Sequence, residues 1–392
     1  MKEGDVIVVG GGLVGAAAAL GLARRGWRVR LIERQRPQLS AGRFGMDIRN
    51  IACSPASRSL FDELDIWRIL DPAVYRSMQV WEERGVAAMS FNAVDVDRTE
   101  LGWILENSPT VAALWERMEE QVEIDIGEVS SIVADTSEVR VVVGEASFSA
   151  RLLIGVDGAR STVRSLLGVG MESRPTGHHA LATLVRAECG HEGVAYQRFL
   201  LDGPVALLPS RMPDVSSVVW SQSPESARMR LALSEDAFCE ALGEATEYRL
   251  GRILEVDQRA AFPLEQHVVT DFNPLDRVLL IGDAARVLHP LAGLGANVGF
   301  EDVRDLLQRF VMFPRGADPG APGIWRGFAR KRRARAQLMI ALMAGFKSVY
   351  AEGGPTVQWL RNSAIAWLNS AEPIKQQLMR EALGVGPLAS TW

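Results

Sequence analysis

Apolar residues fall along this chain in three rhythms. "DVIVV" (5–9) is an unbroken apolar, β-branched run, the pattern of a strand buried on both faces of a parallel sheet. Gly10 to Gly12 interrupt it, and "LVGAAAALGLARR" (13–25) follows as an alanine-rich helical stretch with Gly26 placed to stop it. "RVRLI" (28–32) predicts the next strand, with Glu33 at its carboxyl end. The three pieces make one βαβ unit. Helical periodicity fades between 71 and 104 and resumes in "LWERMEEQV" (114–122), and 138–158 reads as strands with a hairpin-like break. From about 175 to 262 the rhythm is mostly alternation, as in "HALATLVRAE" and "VSSVVWS", which predicts a strand-rich, antiparallel region. Buried-strand and helix patterns return from 277. "GADPGAPG" (316–323) predicts a linker, and the remainder is predominantly helical in pattern.

Composition narrows this only in part. At 392 residues the chain has room for two domains, or for one large domain with an insertion. A net charge of -5 gives no reason to expect nucleic acid as a partner. The three cysteines, Cys53, Cys189 and Cys239, are far apart and form no CxxC pair, which argues against a disulfide framework or a zinc site and fits a reducing compartment. The N-terminus lacks the basic region of a secretory signal, and "LMIALMAGF" (338–346) is too short to span a bilayer. The expectation is a soluble or peripheral protein.

The chemistry is carried by three separated turns. Gly10-x-Gly12-x-x-Gly15 follows a strand, opens a helix and has Glu33 eighteen positions after Gly15. In such a motif the first glycine permits the turn, the second lets backbone amides approach a pyrophosphate and the third allows close helix–strand packing. The helix N-terminus favours the phosphate charge, and Glu33 can accept hydrogen bonds from a ribose. The motif does not separate NAD from FAD, since both carry the same ADP half. "LLIGVDGARSTVR" (152–164) ends a second apolar strand in Asp157-Gly158, with Arg160 and Arg164 following; alone, it reads equally as a plain type I turn. "LLIGDAARVLHPLAGLGANVGFEDVRDLL" (279–307) puts Asp283 at a strand's carboxyl end, where it can bind a polyol hydroxyl, and Gly293 and Gly295 at a helix start. The amides there favour negative charge, which an isoalloxazine ring gains at its N1–C2=O edge on reduction. A long dinucleotide accounts for both ends: ADP at Gly10–Gly15, ribityl chain and flavin at Asp283–Asn297.

No catalytic side chain stands out. His289 reads equally as an acid–base group or as a packed loop histidine, and His178, His179, His191 and His267 show no metal-ligand spacing. No Ser/His/Asp set is visible. "FARKRRARAQLMIALMAGF" (328–346) carries Arg330, Lys331, Arg332, Arg333 and Arg335 ahead of an apolar helix. That run reads either as a face for anionic lipid or as a solvated helix surface.

In order and spacing the three turns resemble those of the class A FAD-dependent aromatic hydroxylases, flavoprotein monooxygenases, over essentially the whole chain. Within that group the chain is most similar to the ubiquinone-biosynthesis hydroxylases. The carrying stretches, besides the three turns, are "DIRNIACSPASRSL" (47–60), "LENSP" (105–109) and the tail "LRNSAIAWLNSAEPIKQQLMREALGV" (360–385). The resemblance implies an α/β fold: a Rossmann-like FAD-binding domain of the GR2 type (1–70, 105–174 and 271–315), an inserted antiparallel-sheet substrate domain (71–104 and 175–270) and a helical C-terminal region (316–392). It implies FAD as cofactor and NAD(P)H as reductant. Gly10, Gly12 and Gly15 would hold the pyrophosphate and Glu33 the adenosine ribose, with Leu13, Val14 and Arg34 beside them. Arg49 would lie along the FAD, Asp157 and Gly158 would serve FAD and NAD(P)H together, and Asp283 would take the ribityl chain. Gly293 to Asn297, that is Gly293, Leu294, Gly295, Ala296 and Asn297, would meet the flavin edge, with Gly282 and Pro290 also in contact.

The implied activity is hydroxylation of a polyprenyl phenol or quinol with O2, through a flavin hydroperoxide. Implied partners are that substrate, peripheral membrane contact through 330–335 and other ubiquinone-biosynthesis proteins. The implied location is the cytoplasm, peripheral to the inner face of the cytoplasmic membrane. Two alternatives share the fold: an FAD-linked reductase and a non-catalytic FAD-binding subunit. Relatives often carry glutamine at Leu294, histidine at Arg286 and a glutamine pair at Val111 and Ala112, so this chain departs from its group there.

Overall fold

The apolar run that opens the chain becomes the centre of a seven-stranded sheet. The computed structural model describes residues 2–83, 88–288, 295–314 and 316–351, together with 376, 377, 379 and 380. Within them the strand Lys2–Val9 lies between Val29–Glu33 and Ala146–Gly155 and runs parallel to both. Val6 to Val9 are buried on both faces, which is why this strand shows no alternation. Glu123–Ile126 extends the sheet past Val29–Glu33. On the other side Val139–Val143 and Val129–Ala134 add antiparallel strands. Val278–Leu280 pairs in parallel with Leu153–Gly155 alone, at the end of Ala146–Gly155 where the glycine turns gather. The helices Leu13–Ala23, Asn107–Met118 and Gly295–Met312 cover one face of this sheet. Gly21 lets the first approach the third: a Cβ there would sit 2.6 Å from Leu307.

The alternating region forms a second sheet of nine strands. Its axis is the long strand Met171–Ala187, antiparallel to Val215–Gln222 on one side and to Ala260–Val269 on the other. Pro224–Ala232 and Glu235–Ala245 are the helices that follow Val215–Gln222. The second of them packs on one sheet face, through Phe238, Leu242 and the strand residues Leu181, Val218 and Trp220. The opposite face turns inward onto the loop before Asn50–Cys53, where Leu184 and Val215 meet Met46 and Ile48. Residues 71–104 supply short strands: Ala73–Tyr75 joins a three-stranded sheet with Asn50–Cys53 and Gly102–Glu106, while Ser77–Glu82 and Ala88–Asn92 join the large one. The architecture is the α/β fold that the sequence pattern implies, with a second sheet that is antiparallel except where Ser77–Glu82 pairs in parallel with Val194–Leu200.

Two stretches behave differently from their sequence pattern. "GADPGAPG" is no free linker. Arg277, almost fully buried, bonds Asp318 at 2.7 Å, Trp325 donates its indole N–H to Pro319 O at 2.7 Å, and Gly320 presses on the Arg151 carbonyl so closely that a side chain there would collide. Small residues here serve close packing. The basic run 330–335 on the helix Arg326–Ala351 is mostly paired with acids, and two of its arginines are buried. Arg332 is 2 % and Arg335 6 % exposed; Arg332 meets Asp302, Glu301 and Asp305, Lys331 meets Asp305, and Arg333 meets Glu172. Arg330 is exposed and carries no ion pair among the described residues. No helix among the described residues is long and apolar enough to cross a membrane. The buried Met379 packs among Ala93, Val96 and Leu101, so the chain's last described residues reach the second sheet.

Candidate functional site

The first turn is built by contact, not by composition. Gly10 has φ +112°, and a Cβ on it would lie 2.5 Å from Val156 O; one on Gly15 would collide with Gly10 O. Strand end, helix start and the neighbouring strand thus close to backbone contact, which only glycine permits. Gly12 is the opposite case. It is exposed, caps the helix Leu13–Ala23 without any side-chain hydrogen bond, and has open space for 4 Å where a Cβ would go. The first amides of that helix, at Leu13 and Val14, face this opening with no intrahelical acceptor, so the turn presents bare N–H groups and the positive end of a helix dipole to an anion. This cradle fits a pyrophosphate. Glu33 accepts from the Gly11 amide through one carboxylate oxygen and from Arg34 N (2.7 Å) through the other, and Trp115 donates its indole N–H to Gly11 O at 2.7 Å. Strand end, loop and a second helix therefore hold the turn from outside.

Asp157 and Gly158 lie directly beneath, because Val156 is the residue Gly10 touches. The Asp157 carboxylate accepts from Ser161 Oγ (2.5 Å), Thr162 N (2.6 Å) and Val163 N (3.1 Å). It shapes the turn into the short helix Thr162–Leu166. Gly158, at φ +84°, has open space around it. Arg164, buried, bonds back to Ala159 O at 2.6 Å and across to Ala284 O at 3.0 Å, with His267 at 3.5 Å. His267 in turn lies 3.3 Å from Asp283 O. One guanidinium therefore ties the second turn to the third.

In the third turn Gly282, at φ +57°, donates its amide to Asp302 at 2.9 Å. The Asp283 side chain has exposed surface, yet enough protein surrounds its carboxyl that desolvation raises its pKa, against the pull of Arg286. Asp302 is fully buried on the helix Gly295–Met312 and also bonds Arg286 (2.6 Å) and Arg332. Burial alone would raise its pKa; the two guanidiniums and the Gly282 amide outweigh it and hold the carboxyl below its ordinary range. Arg286 and Arg332 both reach Val298 O, at 2.5 and 3.2 Å. The first and third turns meet over one side chain: a Cβ at Gly282 would sit 3.3 Å from Val14 Cγ1, and one at Gly299 would sit 2.6 Å from Val14 Cγ2. Two turns almost three hundred residues apart in sequence share a wall.

The other named residues divide by where they lie. Gly295 and Ala296 are half-buried at the helix start, and nothing lies within 4 Å of a Cβ at Gly295. The Asn297 side chain is held at both ends: its oxygen accepts from Ser54 N (2.9 Å) and Ser57 Oγ (2.7 Å), and its amide donates to Ala52 O (2.7 Å). Arg49 is over half exposed, next to the buried Asp47, and the adjacent Asn50 bonds Ser217 of the second sheet at 3.1 Å. Val111 is part of the core. His289, Pro290, Gly293 and Leu294 lie outside the described residues. Sequence reasoning passed over Trp115 and Asp302. Trp115 gave no signal, whereas an aspartate in the apolar stripe of "VGFEDVRDLL" could have marked a buried charge needing partners.

Comparison with known proteins agrees with this geometry. An FAD binding domain family matches residues 76–342, and an FAD dependent oxidoreductase family matches residues 5–128. The chain is 30% identical to 3-demethoxyubiquinol 3-hydroxylase of Escherichia coli (strain K12), covering 97% of this chain and 98% of that protein. It is 30% identical to ubiquinone hydroxylase UbiL of Rhodospirillum rubrum over 98% of this chain and 90% of that one. Among solved structures, p-nitrophenol 4-monooxygenase PnpA from Pseudomonas putida superposes with a TM-score of 0.78 at 21% identity, over 99% of this chain and 100% of that one. HpxO of Klebsiella pneumoniae complexed with FAD and uric acid gives 0.74 at 17% identity, over 99% and 98%.

Proposed function

The chain belongs to the FAD-binding class A flavoprotein monooxygenases, and on that premise we propose that it hydroxylates the ring of a polyprenylated phenol or quinol in ubiquinone biosynthesis. FAD is the cofactor and NAD(P)H the reductant. The overall balance is ring C–H, O2, NAD(P)H and a proton giving ring C–OH, water and NAD(P)+. When bound, FAD would supply the redox chemistry, passing two electrons from the nicotinamide to O2.

The residues then take these parts. The Gly12, Leu13, Val14 and Gly15 amides hold the pyrophosphate, and Gly10 brings strand and helix together beneath it. Glu33, with Arg34 beside it, keeps free lone pairs for ribose hydroxyls. Asp157 and Gly158 act at one remove, by setting the floor under Gly10. Gly282 and Asp283 take the ribityl chain, and Arg49 lies along the cofactor. Gly295, Ala296 and the backbone of Asn297 close on the flavin edge, joined by Pro290, Gly293 and Leu294. The inward face of the second sheet excludes water from the reacting ring.

The observation that carries the substrate is the near-complete alignment with two ubiquinone hydroxylases. It is supported by the inward sheet face, where small and apolar side chains neighbour Ser217, the residue that Asn50 bonds. A prenylated substrate resides in the membrane, so the enzyme works peripherally, and Arg330 is the charge of the 330–335 run left to meet anionic headgroups. The test is complementation of single ubiquinone-hydroxylase deletions, with lipid extracts analysed by mass spectrometry. Expected is disappearance of one accumulated prenylphenol and its recovery 16 mass units heavier in the next intermediate. Failure in every deletion, with purified yellow protein oxidising NAD(P)H independently of any prenylphenol, would refute the substrate assignment.

A further inference from the structure

The pairing registers of the second sheet align a row of side chains on its inward face: Ala260, Ala182, Val219, Ala206, Gln197, Val80 and Met89, one per strand. Which face this is follows from its neighbours. Tyr196 and Leu200 pack into the cluster with the helix Glu235–Ala245, and Arg198 bonds Glu244 O and Ala245 O of that same helix. Gln197, one position out of step, therefore points the other way, toward the side where Leu184 and Val215 meet Met46 and Ile48. The row is shallow from Ala260 to Ala206. Ala260 is exposed, with Phe262 beside it 43 % exposed, and Val219 and Ala206 are half-buried. Past Gln197 it is closed by Val80 and Met89, both buried.

Gln197 is out of place in such a row. It is 93% buried, being 7 % exposed, and its carboxamide has no hydrogen-bond partner among the described residues. Its amide atoms are not sealed off, so the carboxamide opens onto the inward face and is satisfied there by water or a ligand. Two strands away, at about 5 Å per strand, Ser217 marks where Asn50 and the cofactor loop touch the sheet. Two strand spacings, about 10 Å, leave room for one aromatic ring between them.

We propose that Gln197 is the residue that orients the substrate ring. Its carboxamide hydrogen-bonds the ring's oxygen substituent, donating to a methoxy or hydroxyl oxygen through Nε2 and accepting from a hydroxyl through Oε1. The ring lies over Ala206 and Val219, and an apolar tail leaves along Ala182 toward Ala260 and Phe262. Anchoring one oxygen fixes which ring carbon faces the cofactor, so Gln197 governs both binding and position of attack. This rests on the aromatic-hydroxylase reading given above.

The experiment is titration of the FAD-loaded enzyme with a short-chain prenylphenol, followed by flavin absorbance, together with product and H2O2 yields. It is run on the unaltered enzyme and on Gln197→Met, which keeps the volume and removes the polar ends. Expected is full FAD content in both, with phenol binding weakened about tenfold or more in Gln197→Met. A larger share of NAD(P)H oxidation should then end in H2O2. Should Gln197→Met not fold, Gln197→Asn keeps the amide but withdraws it by one carbon; expected is retained FAD with lowered product yield or altered ring position. Equal binding, product yield and regiochemistry in the folded variant overturn the proposal and leave the hydroxylase reading intact. An unaltered enzyme that binds no phenol overturns both.

Discussion

Gly12 and Gly15 are three residues apart, and the same substitution should do different things at each. A methyl group at Gly15 runs into the Gly10 carbonyl, so Gly15→Ala should destabilise the protein with or without cofactor and yield insoluble or flavin-free material. At Gly12 the chain leaves open space. Gly12→Ala should fold with an unchanged melting temperature of the flavin-free protein yet bind FAD at least about tenfold more weakly, since its methyl group would occupy the pyrophosphate's approach. Fluorescence titration and thermal melts of both variants test the contrast. His267 gives a second residue-scale expectation. Burial first, and the Arg164 guanidinium second, hold its imidazole pKa below the ordinary 6.5. The unfolded chain then binds the proton more readily than the folded one, so this site costs stability as pH falls below about 6.5 and levels off once pH passes the depressed folded value. His267→Gln should flatten the part of the melting-temperature profile between pH 7 and 5. An unchanged slope would place the titrating group elsewhere.

At the scale of elements, the helix Arg326–Ala351 is bound to the third turn by charge. Arg332 meets Asp302, which also holds Gly282 and Arg286. Removing one partner from a buried pair leaves an uncompensated charge and costs about 3–5 kcal/mol. Arg332→Met should lose stability of that order in urea unfolding, while Arg330→Met, at an exposed and unpaired position, should stay within about 0.5 kcal/mol. The same helix shows where sequence stops being legible. The glycine turn could be read because its determinants lie within six residues, and Glu33 because it ends the next strand. Arg332 and Arg330 look alike in sequence; they differ in that a buried aspartate thirty residues earlier faces one of them. "GADPGAPG" misleads for the same reason: small residues mark a flexible linker or a tight contact, and only the Arg151 carbonyl behind Gly320 decides. Arg286, a departure from its group, becomes intelligible once Asp302 and Val298 O are seen beside it.

For the whole molecule, the two cups at Gly12 and Asp283 share the wall of Val14, so a ligand filling both should stabilise far more than one filling either. Binding only the folded state raises stability by RT ln(1 + [L]/Kd), about 2.7 kcal/mol at a hundredfold excess over Kd. Flavin-stripped protein should therefore melt lower and recover saturably on addition of FAD. FMN, which lacks the adenylate that Gly10 to Glu33 would take, should restore little; equal recovery with FMN would remove the glycine turn from cofactor binding. Gln197 was invisible in the sequence because its setting depends on six other strands finding their register.

The cofactor sheet closes only when Val278–Leu280 meets the strand that Lys2–Val9 already flanks. During synthesis at roughly 5–20 residues per second, the edge at Leu153–Gly155 must wait roughly 6–25 seconds for its partner strand, open meanwhile to other chains. Slow, cool expression with riboflavin supplied should accordingly give more yellow soluble protein than fast expression of the same gene.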